Sequence, residues 1–411
     1  MSKLDELIQQ YCPDGVEYKS IESITKSICS GLNPRKNFTL NCKGAVCHYL
    51  TVKEMTTGKI IFSDKTDKIT PDAVNIIQNR SRLEIDDILL SGIGTIGKVA
   101  IVDIPVDNWN CSESVLLLKP NKEIICPKYL KYILEGNKTQ EYFNSHATGS
   151  TLKGIRQKDL RTHSVPVPPL PVQEEIVRIL DNFTELQAEL QAELQKRIQQ
   201  YNYYRDNLLS FEGRSDVEWK KLGDVCLKVC SGGTPSRGNS DYFTGDIPWL
   251  RTQEVDWKDI YDTEIKITED AVKNSSAKLI PENCVIIAMY GATAGKVAIN
   301  KIPLTTNQAC CNLQINPQKA LYKYVYYWVC NEYERLKSLG QGSQNNINAQ
   351  IIKEYPIPVP SLEEQQRTVA ILDRFDALTT DITTGLPAEI EARRKQYEYY
   401  RDQLLTFKHK A

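Results

Sequence analysis

No run in this 411-residue chain is apolar for long enough to cross a bilayer, and its opening segment, MSKLDELIQQY, is not expected to act as a signal peptide. Charge of one sign is also missing. Lys and Arg number 51 and Asp and Glu 52, for a net charge of −1, so any basic surface must be local. Twelve cysteines are present, but none is spaced as CxxC. Together with the absent export signal, this predicts reduced thiols and a cytoplasmic protein. Cys42, Cys47 and His48, or Cys226 and Cys230, are too weakly spaced to argue for a metal, and none is expected. No paired-carboxylate motif for acid–base catalysis stands out.

The chain is organised around Val172 to Phe211, which contains no Gly or Pro. Ile176, Leu180, Phe183, Leu186, Leu190, Leu194, Ile198, Tyr201, Tyr204, Leu208 and Phe211 recur every 3 or 4 residues. That is the period of a long helix packed lengthwise on another helix. The partner is a second copy at the end of the chain. ILDNF (Ile179 to Phe183) recurs as ILDRF (Ile371 to Phe375), and NYYRDNLLSF (from Asn202) as EYYRDQLLTF (from Glu398). The second stripe includes Val369, Leu372, Phe375, Leu378, Ile382, Tyr397, Tyr400, Leu404 and Phe407. Gly385 and Pro387 are expected to kink or interrupt this helix.

The repeat extends beyond the helices. GVEYKSIESI (from Gly15) matches DVEWKKLGDV (from Asp216), GTIGKVAI (from Gly94) matches ATAGKVAI (from Ala292), and VPVPPL (from Val165) matches IPVPSL (from Ile357). The order is the same in both halves, giving globular region, long helix, globular region, long helix. Asp87 to Leu90 and Lys98 to Val102 read as strands around a Gly-rich turn, and Val115 to Leu118 as another strand. Pro127 to Glu135 and Tyr322 to Glu334 read as helices. The Pro-alternating segments from Val165 and Ile357 read as extended linkers. Ser361 with Glu364 makes a capping-box pattern. Leu4, Leu7, Ile8 and Tyr11 sit at helical spacing, and this segment is expected to pack near the end of the C-terminal helix.

GIGTIG (from Gly92) fits a dinucleotide fingerprint and, with Lys98, nearly fits a phosphate-binding loop. Both mechanisms need a helix to follow, whereas KVAIVDIP reads as a strand. A tight turn is the expectation, with Thr95 and Lys98, and their counterparts Thr293 and Lys296, able to touch nucleic acid. ATGSTLKGIRQKDLR (from Ala147) presents Ser150, Thr151, Lys153 and Arg156; its counterpart from Gly340 presents Ser343, Gln344, Asn345 and Asn346. Such side chains suit base edges and phosphates, though a solvated, capped loop would look the same. Lys53, and Arg251, Thr252 and Gln253, follow equivalent apolar pairs and join the candidates. The four His do not recur between copies, so a shared catalytic His is not expected.

The combination of PVPPLPVQEEIVRILDNF with PIPVPSLEEQQRTVAILDRF, the paired YYRDNLLSF and YYRDQLLTF, and the tetrads TELQAELQAELQ resembles the specificity subunits of type I restriction-modification systems. The resemblance implies a mixed α/β (α+β) fold with two target recognition domains joined by two long antiparallel coiled-coil helices in a pseudo-two-fold repeat. The expected boundaries are an N-terminal helix at 1–15, recognition domains at 16–166 and 214–358, and spacer helices at 167–213 and 359–411. It further implies a bipartite double-stranded DNA target, two methyltransferase subunits and added restriction subunits as partners, and no catalysis by this chain. S-adenosylmethionine, ATP and magnesium are then expected on the partners. Leu180, Phe183, Leu186, Leu190, Leu194, Leu208 and Phe211, with Leu372, Phe375, Leu378, Ile382, Leu404 and Phe407, are the expected helix-packing and partner surface. An enzyme, either a nucleotide-dependent hydrolase using Gly92 to Lys98 or a fused methyltransferase, and a coiled-coil scaffold with protein-binding domains are the alternatives.

Overall fold

The computed structural model describes residues 2–56, 58–149, 153–340, 346–380 and 384–410. It divides into two units, Met1–Gln191 with Ile390–Ala411, and Ala192–Glu389. Each holds one globular domain with portions of the long helices.

In the first unit the strand Val115–Pro120 lies between Thr25–Ser30 and Ile88–Ser91, and Val99–Ile101 extends the sheet beyond Ile88–Ser91. All three pairings are antiparallel. Strand alternation sends successive side chains to opposite faces. Leu116 and Leu118 enter a core with Tyr129, Leu130, Ile176 and Leu180. Val115 and Leu117 enter another with Leu50, Met55 and Trp109. Both faces of the sheet are therefore covered, and Ile88, Leu89 and Leu90 are each 0% exposed. Truncating a core residue such as Leu117 to Ala would cost about 2–5 kcal/mol. A smaller sheet, Lys68–Ile69, Cys47–Leu50 and Trp109–Cys111, stands beside it.

The second unit repeats this plan. Cys310–Ile315 lies between Cys226–Ser231 and Val285–Ala288, followed by Val297–Asn300 and Asp259–Ile260. Val285 and Ile287 pack with Tyr324 and Trp328, while Ile286 and Ala288 pack with Leu250 and Cys310.

The Pro-alternating segments differ from the expected linkers. Ser164–Pro166 pairs with Tyr18–Ser20, and Pro356–Val359 with Glu218–Lys221. Each pair is a two-stranded ribbon, where proline is tolerated because every strand is an edge. The helix Leu170–Leu208 follows with 39 uninterrupted residues, about 58 Å. Its counterpart is two helices, Leu362–Thr380 and Leu386–Leu404, rather than one spacer helix. Pro387 lies in the first turn of the latter, where its missing N–H costs nothing. The Ser361 hydroxyl accepts from the Glu364 N–H at 3.2 Å. The predicted helix Tyr322 to Glu334 is also split, into Tyr322–Asn331 and Tyr333–Ser338.

Along the stripes, Phe183 stacks on Tyr400 at 5.7 Å in the first unit, and Tyr204 on Phe375 at 5.4 Å in the second. Leu180 and Leu372 are fully buried, Phe211 is buried, and Leu208, Leu404 and Phe407 are partly buried against the cores. Leu190 and Leu194 are half-buried. Leu186 (53% exposed) and Leu378 (36%) lie at the surface, and Ile382 lies outside the described residues. A straight helix drifts about 20° per heptad from a 3.5-residue stripe, enough to swing such positions outward.

The N-terminal helix Lys3–Tyr11 docks where expected. Leu4 is buried with Leu405, beside Leu404 and Phe407. The Val16 N–H donates to the Lys408 carbonyl at 2.8 Å, and the Lys410 N–H returns to Val16 at 3.0 Å. Gly15 makes this approach possible: its φ is +110°, and a Cβ there would sit 2.7 Å from the Lys408 oxygen.

Candidate nucleic-acid interface

The Gly-rich turn is closed by its own backbone. The Ser91 N–H donates to the Lys98 carbonyl at 2.8 Å, and the Gly97 N–H to the Ser91 carbonyl at 3.0 Å. Gly97 sits at φ +86°, where a side chain is strained, and a Cβ there would have to displace Gln140 Oε1, 2.3 Å away. The chain then enters the strand Val99–Ile101, so no helix N-terminus follows to receive a phosphate. Two further loops converge here. The Gly94 N–H donates to the Lys153 carbonyl at 2.8 Å, and Lys98 Nζ to the Val52 carbonyl at 3.3 Å. The turn thus gathers Lys53, Thr95, Lys98 and Lys153, all exposed. Ser150 and Thr151 lie outside the described residues. Arg156 is engaged locally, with Nε donating to Asp159 at 2.7 Å and holding that carboxyl below its usual range.

In the second unit the equivalent turn joins Val285–Ala288 to Val297–Asn300. Thr293 Oγ1 donates to the Thr252 carbonyl at 2.9 Å, and the Gly291 N–H to Asn346 Oδ1 at 3.3 Å. The same three loops meet, carrying other side chains. Gln253 is exposed. Lys296 pairs with Asp256 at 2.6 Å, and Arg251 lies between Glu254 and Glu264. Ser343, Gln344 and Asn345 lie outside the described residues.

The pattern now has an independent counterpart among known proteins. The family model for the type I restriction modification DNA specificity domain matches twice, over residues 13–200 and 214–392. The chain belongs to this family. It is similar to the EcoR124I/EcoR124II specificity subunit of Escherichia coli, 45% identical over 249 residues, which is 59% of this chain and 61% of that protein. The match thus spans less than two thirds of that relative. S.HindORF215P of Haemophilus influenzae, named as a type I restriction enzyme specificity subunit, is 32% identical over 302 residues, 70% of this chain and 74% of that protein. Two solved structures share the fold. One is a chain from a type I R-M system, with TM-score 0.64, 16% identity and coverage of 96% of this chain and 98% of the other. The second is the S subunit from M. genitalium, with TM-score 0.55, 17% identity and coverage of 95% and 96%.

Sequence reasoning missed the bonds that hold each long helix to its domain. Tyr132 Oη and Lys128 Nζ both donate to Asp181 at 2.6 Å. In the second unit Tyr327 and Lys323 donate to Asp373 at 2.7 and 2.6 Å. The Asp of ILDNF and ILDRF is thus a clasp, and the shared Lys-x-x-x-Tyr spacing was the signal for it. Gln173 and Gln365, each 0% exposed, serve as a second clasp. Gln173 accepts from the Cys126 N–H at 2.8 Å and donates to the Ile124 and Pro168 carbonyls at 3.0 and 2.6 Å. All twelve cysteines are free, and burial pushes Cys111, Cys226, Cys284 and Cys311 up to about 12. Among the described residues no group of three or more His, Cys, Asp or Glu is arranged to hold a metal, and no helix is long and apolar enough to cross a membrane.

Proposed function

We propose that this chain is the DNA-reading subunit of a type I restriction-modification complex, each globular domain reading one half of a bipartite, asymmetric target. The observation that carries this reading is one loop framework built twice around a turn that keeps Thr and Lys in both copies, with different polar side chains beside it, Lys53 and Lys153 against Gln253 and Asn346. A shared frame with unlike contacts suits two unlike half-sites. The long helices set the spacing between half-sites and dock two methyltransferase subunits, and restriction subunits join the larger assembly. The chain itself is non-catalytic; S-adenosylmethionine, ATP and magnesium belong to its partners.

The test is genome-wide methylation mapping in cells expressing the methyltransferase partner with and without this chain. A bipartite motif that appears only with the chain is expected. No such motif from a soluble, assembled complex would favour the scaffold alternative. Deleting Ala188 to Gln191 removes about 6 Å of helix, equivalent to at most about two base pairs at 3.4 Å each. The gap should shorten by one or two base pairs with both half-sites unchanged, and altered half-sites would refute the spacer assignment.

A further inference from the structure

Resting on that DNA-reading assignment, we infer that the two domains divide the electrostatic work: the first grips phosphates through free lysines, and the second reads its half-site mainly through neutral side chains. Lys53, Lys98 and Lys153 are exposed, and among the described residues none has a carboxylate within ion-pair distance. The nearest acid in sequence, Glu54, is buried and turned inward, accepting from the Thr51 N–H and hydroxyl at 2.8 Å.

At the second turn the cations are already matched. Lys296 sits 2.6 Å from Asp256, and Arg251 is held by Glu254 and Glu264. The segment from Glu254 to Glu264 also carries Asp259 and Asp262, themselves paired with Lys301 and Lys266 at 3.5 and 3.2 Å. A lysine paired with a carboxylate brings almost no net charge to a phosphate. What the second turn offers instead is Gln253, Thr293, Asn346 and the 41%-exposed ring of Tyr290. Composition agrees. Residues 16–166 hold 21 basic and 16 acidic side chains, and residues 214–358 hold 17 and 16.

Counterion release makes this measurable. Each phosphate contact contributes about 0.9 to the slope of log affinity against log salt. The experiment is fluorescence anisotropy of the full chain assembled with its methyltransferase partner, on a duplex carrying the mapped motif, between about 50 and 200 mM salt. Replacing Lys53, Lys98 and Lys153 together by Ala should flatten the slope by about 2.7, so that a fourfold rise in salt costs the parent about 40-fold more affinity than the variant. Lys296→Ala should flatten it by less than half of one contact. Asp256→Asn, which frees Lys296, should steepen it by up to about 0.9. Equal flattening by Lys98→Ala and Lys296→Ala, or no steepening in Asp256→Asn, overturns the inference. Methylation mapping of the same variants separates the two readings. A retained motif shows a folded, assembled complex and confines failure to the charge division, whereas a parent chain with no motif sinks the DNA-reading assignment itself.

Discussion

Gln173→Leu keeps nearly the same volume but deletes three hydrogen bonds of a side chain that is 0% exposed. The Cys126 N–H loses its acceptor at 2.8 Å, and the Ile124 and Pro168 carbonyls lose donors at 3.0 and 2.6 Å. A buried N–H left without a partner costs about 1–3 kcal/mol, and two weakened carbonyls add about 1–2. Added apolar burial by leucine returns about 1 kcal/mol. The net loss is about 1–4 kcal/mol, a large share of the roughly 5–15 kcal/mol that holds a typical domain. Cys126 also precedes the helix Pro127–Glu135, which has no side-chain cap, so the loss falls on a helix start with little else to support it. Hydrogen exchange reads this locally. Protection over residues 127–135 and 170–180 should fall by about fivefold or more, the equivalent of about 1 kcal/mol. The chain contains its own replicate. Gln365 accepts from the Leu321 N–H at 2.9 Å and donates to the Lys319 and Pro360 carbonyls, so Gln365→Leu should reproduce the effect in the second unit. A fall below about threefold in either variant, or one equal in the unaltered unit, would refute the reasoning.

Tyr327→Phe should cost only about 0.5–1.5 kcal/mol, because Asp373 keeps Lys323, whereas Asp373→Ala orphans a buried hydroxyl and should cost about 2–3; a double-mutant cycle in urea unfolding should give a clearly non-zero coupling. His163, stacked 4.1 Å from Tyr142, is lowered by burial from 6.5 to about 4. Its neutral form is the folded form, so its contribution to stability is complete above about 6.5 and is lost as pH falls towards 4. His163→Phe should flatten first-unit exchange across that window, and an unchanged pH profile would count against it. Gly15→Ala, strained at φ +110° and clashing with Lys408, should cost about 1–3 kcal/mol and expose residues 3–16 to limited proteolysis.

The parts of the fold legible in sequence were those where one local rule and the tertiary fold agree. The 3.5-residue stripe yields the helix Leu170–Leu208, and the glycines at 94 and 97 yield the turn because only they accept its left-handed φ. The Pro-alternating segments misled because proline signals an extended chain, and nothing local says whether that chain finds a strand partner 135 or more residues away. Charge pairing was less legible still. Arg251 looks like a base-reading arginine until the fold brings Glu264 to it, and Lys296 like a phosphate lysine until Asp256 arrives. Arg156 with Asp159 and Arg251 with Glu254 are the exceptions, since a cap residue and the third residue of the turn it starts meet by local geometry alone.

The alternation of the central strands explains how one framework can carry unlike recognition loops. Leu116 and Leu118 face the core that contains Tyr129, Val172 and Ile176, where the Gln173 and Asp181 bonds fasten the helix. Val115 and Leu117 face the opposite core, with Leu50 and Val52, from which the chain runs on to Lys53. In the second unit Leu313 and Ile315 sit with Tyr324 and Leu372, while Cys310 sits with Leu250, which precedes Arg251. A side chain can change face only by a register slip that would invert every buried position of the strand. The sheet therefore insulates the two tasks: loop substitutions at Lys53 or Arg251 do not reach the helix clasp, and the clasp keeps the same residues in both copies while the loops have diverged.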